Sequence, residues 1–288
     1  DVYKRQALGY GAGSNLQTTF AVAVGQQAGQ SNQGNSAISI GYFAGLSTQA
    51  NFAVAIGRFA GQNAQKQGSV AIGQNAGSNN QNNNSVAIGF SAAQSNQGNS
   101  AVAIGDQAGQ NNQNLSAIAI GQLAGTISQN VQGIAIGNTA GRSNQGINGL
   151  AIGTGAGQNT QGIYAIAMGE NAGQYTQKNQ AIAIGRSTGL NNQGVSAIAI
   201  GNSAGNTEQA AGAIAIGVAA GFTGQSTNSI AIGSNAGQNN QDSNSFAAGY
   251  LAGYSTQGAF AVAMGFQAGA FVQGVSSIAI GTNAGYAN

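Results

Sequence analysis

The chain contains no cysteine, histidine, tryptophan or proline, and only twelve of its 288 residues are charged. Without histidine or cysteine, it lacks the ligands that zinc and most transition metals prefer. A nucleophilic triad needs a base beside its nucleophile, and acid/base hydrolysis needs two converging carboxylates. The five acidic residues are widely separated, at Asp1, Asp106, Glu170, Glu208 and Asp242. We therefore expect no enzyme, no metal site and no cofactor.

The scarcity of charge and of long apolar runs excludes two further classes of protein. The seven cations are not clustered, whereas nucleic-acid binding needs a concentrated basic patch. No apolar run approaches the roughly 18 residues of a membrane-spanning helix. The longest run, Ala210 to Phe222, is interrupted by Gly212 and Gly217. We expect neither a nucleic-acid partner nor a membrane span.

Glycine, by contrast, recurs at every sixteenth position from Gly9 to Gly281, without an insertion or a deletion. With that glycine as position 1, the unit reads Gly-x-x-Ala-Gly-x-x-x-Gln-x-x-x-Ala-(Ile/Val)-Ala-(Ile/Val), as from Gly105 to Ile120. A short unit that cannot bury its own apolar face is typical of a solenoid. The repeat predicts an all-β fold, a parallel β-solenoid (β-roll or β-helix) of about eighteen 16-residue turns.

The repeat covers residues 7–288 as a single continuous array, and residues 1–6 depart from it. They read Asp-Val-Tyr-Lys-Arg-Gln and hold three of the twelve charges. We interpret them as a truncated or artefactual end and expect the natural protein to continue in both directions. A divergent cap is the alternative.

Positions 13 to 16 have the period-two alternation of a strand, with β-branched residues at positions 14 and 16. These side chains are expected to form a continuous apolar column. Position 15 is alanine in every copy except Ser39, which indicates that something approaches this strand face closely. That neighbour is either the opposite wall of a thin solenoid or another subunit, and the sequence leaves open which face is inside.

We expect copies of the chain to associate sideways through one of the two apolar strand faces. Lysine at Ala119, Ala135 and Ala151 is then predicted to block this association. The predicted close-packed alanine face is represented by Ala87, Ala103, Ala119, Ala135 and Ala151.

Glycine at positions 1 and 5 predicts corners that need positive φ or a close approach of the backbone. The corner glycines at position 1 include Gly9, Gly25, Gly41, Gly57, Gly73, Gly89, Gly105, Gly121 and Gly137.

Glutamine occupies position 9 in every complete copy, and stacked identical amides can bond from turn to turn along the axis. The sequence therefore predicts an inward-facing structural ladder. Its members are Gln17, Gln33, Gln49, Gln65, Gln81, Gln97, Gln113, Gln129, Gln145, Gln161, Gln177, Gln193, Gln209, Gln225, Gln241, Gln257 and Gln273.

The Ala-Ile-Gly units, such as Asn84 to Gly89 and Asn99 to Gly105, resemble the head repeats of trimeric autotransporter adhesins. They are also similar to related repeats of phage tail-fibre proteins. The resemblance covers residues 7–288. It implies a left-handed parallel β-roll, three of which pack into a trimeric head that binds host or matrix surfaces.

The leading functional hypothesis is a structural, non-catalytic filament or fibre shaft, located outside the cell or on its surface, that joins end to end and laterally. Its partners would be further copies of the chain, as a homo-oligomer, trimer or filament, and a host or environmental surface. The alternative is an adhesin head or phage tail-fibre segment that binds a surface receptor. A third hypothesis, ice binding, requires a regular threonine array, and threonine is sporadic here (Thr126, Thr154, Thr207).

Overall fold

The computed structural model describes residues 5–286, and the chain divides into two compact units, Asp1–Ile147 and Asn148–Asn288. Each unit is a parallel β-solenoid. Together they contain about 17 turns of about 16 residues, with no helix among the described residues. This confirms the all-β solenoid that the glycine spacing predicts.

Two strands form in each regular turn, and they build two sheets in each unit. Sheet A consists of positions 14 to 16, and sheet B consists of positions 7 to 9. In the first unit, the sheet A strands are Gln6–Leu8, Val22–Val24, Ile38–Ile40, Val54–Ile56, Val70–Ile72, Val86–Ile88, Val102–Ile104, Ile118–Ile120 and Ile134–Ile136. The sheet B strands are Asn15–Gln17, Ser31–Gln33, Ser47–Gln49, Asn63–Gln65, Asn79–Gln81, Ser95–Gln97, Asn111–Gln113, Ile127–Gln129 and Ser143–Gln145.

The second unit repeats this arrangement with a less regular sheet B. Its sheet A strands are Leu150–Ile152, Ile166–Met168, Ile182–Ile184, Ile198–Ile200, Ile214–Ile216, Ile230–Ile232, Phe246–Ala248, Val262–Met264 and Ile278–Ile280. The sheet B strands are Asn159–Gln161, Asn191–Gln193, Thr207–Gln209, Thr223–Gln225 and Asn239–Gln241, and Gln177, Gln257 and Gln273 pair through isolated bridges.

Neighbouring strands pair in parallel and in register, so that each residue lies beside the same position of the next turn. In sheet A, for example, Ala103 pairs with Ala119. In sheet B, Gln97 pairs with Gln113. Every turn therefore presents the same hydrogen-bonding edge to the turn that follows.

Part of the off-pattern end predicted at residues 1–6, Asp1 to Lys4, lies outside the described residues. Gln6 begins the first strand of sheet A and pairs with Val22. The Arg5 guanidinium donates a hydrogen bond to the Gln17 carbonyl at 2.9 Å.

Sheet B was not predicted from the sequence. Serine and asparagine are frequent at positions 7 and 8, and this composition is typical of turns because asparagine tolerates left-handed backbone geometry. Position 8 is indeed left-handed, with φ of 55° at Asn80 and 57° at Asn112. The flanking residues nevertheless pair with the next turn, so these segments are strands with a left-handed residue at their centre. The predicted strand of sheet A is also one residue shorter than expected and begins at position 14.

The interior of each solenoid is filled by small side chains and glutamine. Ala103, Ala108 and Ala117, at positions 15, 4 and 13, are fully buried, and so is Gln113 at position 9. The branched side chains of positions 14 and 16 lie on the outer side of sheet A. Two facing walls of alanine leave no space for isoleucine between them, because packed interiors do not accommodate extra methylene groups.

Candidate functional site

The glutamine column lies inside the solenoid and links its two sheets. The Gln113 Nε2 group donates to the Val102 carbonyl of sheet A at 2.7 Å and approaches the Ala117 carbonyl at 3.2 Å. It also lies 3.1 Å from Oε1 of Gln129 in the next turn. The buried amide thus satisfies backbone carbonyls on the opposite wall and connects successive turns. The bond to the opposite wall was not foreseen from the sequence.

Within the first unit, turn-to-turn amide bonds of 3.0 to 3.2 Å run from Gln49 to Gln81 and from Gln97 to Gln145. Within the second unit, such bonds of 3.1 to 3.3 Å run from Gln161 to Gln257. Two interruptions lie beside exceptions to the repeat. Ser39, which replaces the alanine of position 15, donates to Gln49 Oε1 at 2.7 Å. Ala93, which replaces the glycine of position 5, precedes Gln97, whose Oε1 is buried without a hydrogen-bond partner. An added methyl or hydroxyl group thus accompanies each of these two interruptions, whereas Gln273 Oε1 is buried without a partner beside a regular Gly269.

Replacing Ala93 by glycine should restore the missing bond and raise the free energy of unfolding by about 1 to 3 kcal/mol. Ala93 has a φ of 44°, and this left-handed backbone conformation is strained for alanine but not for glycine. At the equivalent Gly109, a Cβ would lie only 2.8 Å from Gln113 Oε1, so removing the Ala93 methyl should free the approach to Gln97. Denaturant unfolding followed by circular dichroism measures the change. The control is Ala92→Gly, which should destabilise, and an equal loss in both variants would contradict the prediction.

Replacing Gln113 by leucine should lower the free energy of unfolding by about 1 to 3 kcal/mol. The change removes the Nε2 group that donates to the Val102 carbonyl. It also removes the donor that Oε1 of Gln129 has in the preceding turn. Hydrogen exchange should show the loss concentrated in the neighbouring turns. Gln74→Leu, at an exposed position, is the control and should change stability by less than about 0.5 kcal/mol. If both variants unfold alike, the ladder does not stabilise the solenoid.

The predicted close-packed alanine face lies inside the solenoid. All five residues are fully buried: Ala87, Ala103, Ala119, Ala135 and Ala151. The opposite wall approaches closely, since a Cβ at Gly109 would lie 3.2 Å from the Ala103 Cβ. Of the two neighbours considered from the sequence, the wall of the same chain is therefore the one present. The prediction that lysine at Ala119, Ala135 and Ala151 blocks lateral contacts is wrong, because these side chains do not reach the surface.

The nine predicted corner glycines share a backbone conformation that L-residues rarely adopt, with φ between 124° and 131°. A Cβ on Gly105 would lie 2.7 Å from the carbonyl oxygen of Gly121. The stacked corners are therefore as close as a backbone without side chains allows. The glycine at position 5 meets a second requirement, because its φ is near 50° and its hydrogens face the glutamine column.

The outer side of sheet A is apolar. The isoleucines at position 16 are between one third and two fifths exposed in many turns, for example 36% at Ile104 and Ile120 and 40% at Ile232. They repeat in register with the turns. Position 14, on the same side of the strand, contributes partly exposed Val or Ile side chains to this surface. This column is the continuous apolar column that the sequence predicts. The structure places it on the outside of the chain, a choice that the sequence left open.

The outer side of sheet B is polar and rich in amides. Asn80, Asn96 and Asn112 are exposed and hydrogen-bonded to one another along the axis. The recurrence of asparagine at position 8 in three successive copies was the signal that could have predicted a second ladder.

Two local features interrupt the regular surfaces. Phe43 and Phe59 stack with ring centroids 5.6 Å apart, and Tyr42 packs edge-on against Phe43 at 4.2 Å. The Arg58 guanidinium carbon lies 4.8 Å from the centre of the Phe59 ring. In the second unit, Lys178 and Glu208 line a shallow groove of about 310 Å³, where glycine and alanine leave space at position 10.

Within residues 5–286, no group of three or more acidic, histidine or cysteine side chains is placed to hold a metal ion. In the same range, no helix has the length and apolar character that crossing a membrane requires. No protein-family model matches the chain, and no curated protein matches it in sequence.

Proposed function

We propose that this protein is a structural, non-catalytic segment of an extracellular filament or fibre shaft. The observation that carries the proposal is the outer side of sheet A, an apolar column repeated in register from turn to turn. Monomeric soluble proteins rarely expose large contiguous apolar surfaces, and such surfaces mark interaction sites. A second copy of the chain fits this surface, because it offers an apolar column with the same spacing.

Lateral association is proposed to bury the half-exposed isoleucines of two or more copies against each other. Faces of this kind pack about 10 Å apart, with side chains interdigitating. The column carries few charges, so little desolvation opposes the contact. A trimer, as in the adhesins that the repeats resemble, is one closed form of this packing.

End-to-end joining is supported by the parallel, in-register pairing. Each turn offers the next turn a complete set of backbone donors and acceptors, and an unpaired strand edge invites another chain. Copies that stack as their own turns do would extend both sheets. The extracellular location follows from the resemblance to surface adhesins and phage fibres, and it is part of the proposal.

The experiment compares the unaltered chain with an Ile104→Lys/Ile120→Lys variant by light scattering and negative-stain electron microscopy over a range of concentrations. Lysine at these outer positions should abolish sideways contacts in these turns without unfolding the solenoid. Asn82→Lys/Asn114→Lys is the matched control, since Lys66 and Lys178 already occupy the same position of the repeat. The control should assemble normally. An unaltered chain that stays monomeric at high concentration would overturn the proposal.

A second candidate is an adhesin head or phage tail-fibre segment that contacts a receptor. The cluster of Tyr42, Phe43, Arg58 and Phe59 favours it, because aromatic and arginine side chains dominate the binding energy of many interfaces. Mass measurements separate the two candidates. A trimer whose mass does not grow with concentration favours the receptor-binding head, whereas continuous growth favours the filament.

A further inference from the structure

The outer side of sheet B in the first unit carries an ordered row of exposed amides, which we call the asparagine ladder (Asn80, Asn96 and Asn112). Asn80 Nδ2 donates to Asn96 Oδ1 at 3.1 Å, and Asn96 Nδ2 donates to Asn112 Oδ1 at 3.1 Å. The three residues share a left-handed backbone, with φ from 55° to 57°. The side chains are thus fixed in one repeated orientation while remaining in contact with solvent.

Further amides extend this order across the face. Asn63 donates to Asn79 at 3.0 Å, and Gln110 donates to Gln94 at 3.2 Å. Asn79 also bonds to the Ser78 hydroxyl at 3.2 Å. Positions 6 and 7 thus carry amide bonds of their own, and the ladder at position 8 is the most exposed of these rows.

The ladder retains unused hydrogen-bonding capacity on side chains that are exposed to solvent. An amide has two N–H donors and a carbonyl oxygen with two lone pairs. Asn96 uses one donor towards Asn112 and one lone pair towards Asn80. One N–H donor and one lone pair of the oxygen are left unused. This combination of donor and acceptor recurs at the roughly 4.8 Å spacing of neighbouring strands. Because the orientation is already fixed, a ligand would not have to order these side chains.

The chemistry of the face selects among possible partners. Residues 14–128 contain no charged and no aromatic residue at positions 6 to 8 of the repeat. Nucleic acids and anionic surfaces need clustered cations, which this face lacks. A neighbouring pair of hydroxyl groups, by contrast, matches an amide, since one hydroxyl accepts from the N–H while the other donates to the oxygen. A neutral chain of sugars repeats such pairs along its length.

We propose that the asparagine ladder binds neutral polysaccharide chains, with sugar hydroxyls pairing with the outward N–H and oxygen of successive asparagines. Each contact is weak, because it replaces hydrogen bonds to water. Binding along several rungs makes the later contacts intramolecular, which strengthens the whole without any strong single contact. This site is separate from the apolar side of sheet A and does not depend on assembly through it.

The experiment measures binding of the full chain to microcrystalline cellulose and to chitin by sedimentation, at several protein concentrations. The test variant is Asn80→Gly/Asn96→Gly/Asn112→Gly, because glycine keeps the left-handed backbone and removes only the amides. The matched control is Asn84→Gly/Ser100→Gly/Ser116→Gly, three left-handed residues at a different corner in neighbouring turns. Thermal melting of all three proteins is recorded alongside.

The unaltered chain and the control should bind at least one of the two polymers, and the test variant should bind it about tenfold more weakly or worse. A test variant that melts like the control but loses binding supports the proposal. Equal binding by test variant and control overturns it, and so does the absence of binding by the unaltered chain. Inhibition of ice growth that disappears in the test variant, without polysaccharide binding, would overturn it in favour of an ice-binding face.

Discussion

Lysine in place of Ala119 should lower the free energy of unfolding by on the order of 5 kcal/mol, the largest effect that we expect from one substitution. Ala119 is fully buried between sheet A and the opposite wall, and within residues 5–286 the buried polar side chains are Gln, Ser, Thr and Asn, none of them a carboxylate. A lysine there must either bury an unpaired charge or force the walls apart. Denaturant unfolding and hydrogen exchange measure the effect, since repeat arrays can also open in segments.

The adjacent Ile120 provides the control. It lies on the outer side of the same strand and is 36% exposed, so Ile120→Lys can extend its ammonium group into water. We expect this variant to lose no more than about 1 kcal/mol. If Ala119→Lys and Ile120→Lys are equally stable, the assignment of the inner and outer sides of sheet A is wrong.

Alanine in place of Gly105 should lower the free energy of unfolding by about 3 to 5 kcal/mol. The φ of Gly105 is 130°, which is costly for any residue with a side chain. The new methyl would also lie 2.7 Å from the Gly121 carbonyl oxygen, and this atom belongs to the backbone of the next turn. The turns would have to separate locally, with loss of hydrogen bonds in sheet A. Thermal melting and hydrogen exchange near Gly105 and Gly121 measure the effect.

Gly274→Ala is the matched control, because nothing lies within 4 Å of a Cβ at that position and its φ is not positive. It should melt within about 0.5 kcal/mol of the unaltered chain. Stability that falls equally in both variants would show that loss of glycine flexibility, rather than the contact between stacked corners, determines the effect.

The period of the sequence was enough to predict the solenoid, because one residue type repeated at a fixed spacing places the same group in every turn. The side of sheet A that faces inward could not be predicted in this way. The alternation of Ala103 and Ile104 along the strand is compatible with either residue facing inward. What decides is the distance to the opposite wall, where the glycine of position 5 and Gln113 leave room only for alanine. That distance is a property of the whole turn and is not visible in the strand.

The glutamine column illustrates a similar limit. Its invariance predicts a buried, repeated role, and the amide bonds between turns have the predicted form. The bond from Gln113 to the Val102 carbonyl depends on the position of sheet A opposite sheet B, and sheet B itself was hidden by its loop-like composition. The gaps near Ser39 and Ala93 depend on contacts of single atoms, which no repeat pattern specifies.

The glutamine amides also give the solenoid a direction. In the amide bonds between turns, Nε2 donates to the C-terminal neighbour, as from Gln97 to Gln113 and from Gln113 to Gln129, so these amide dipoles point the same way along the column. A stack of chains in one orientation would continue this direction of the amide dipoles. Two chains meeting head to head would instead bring donor against donor or acceptor against acceptor. A fibre built from this chain is therefore expected to be polar, with two chemically different tips and different growth rates at each.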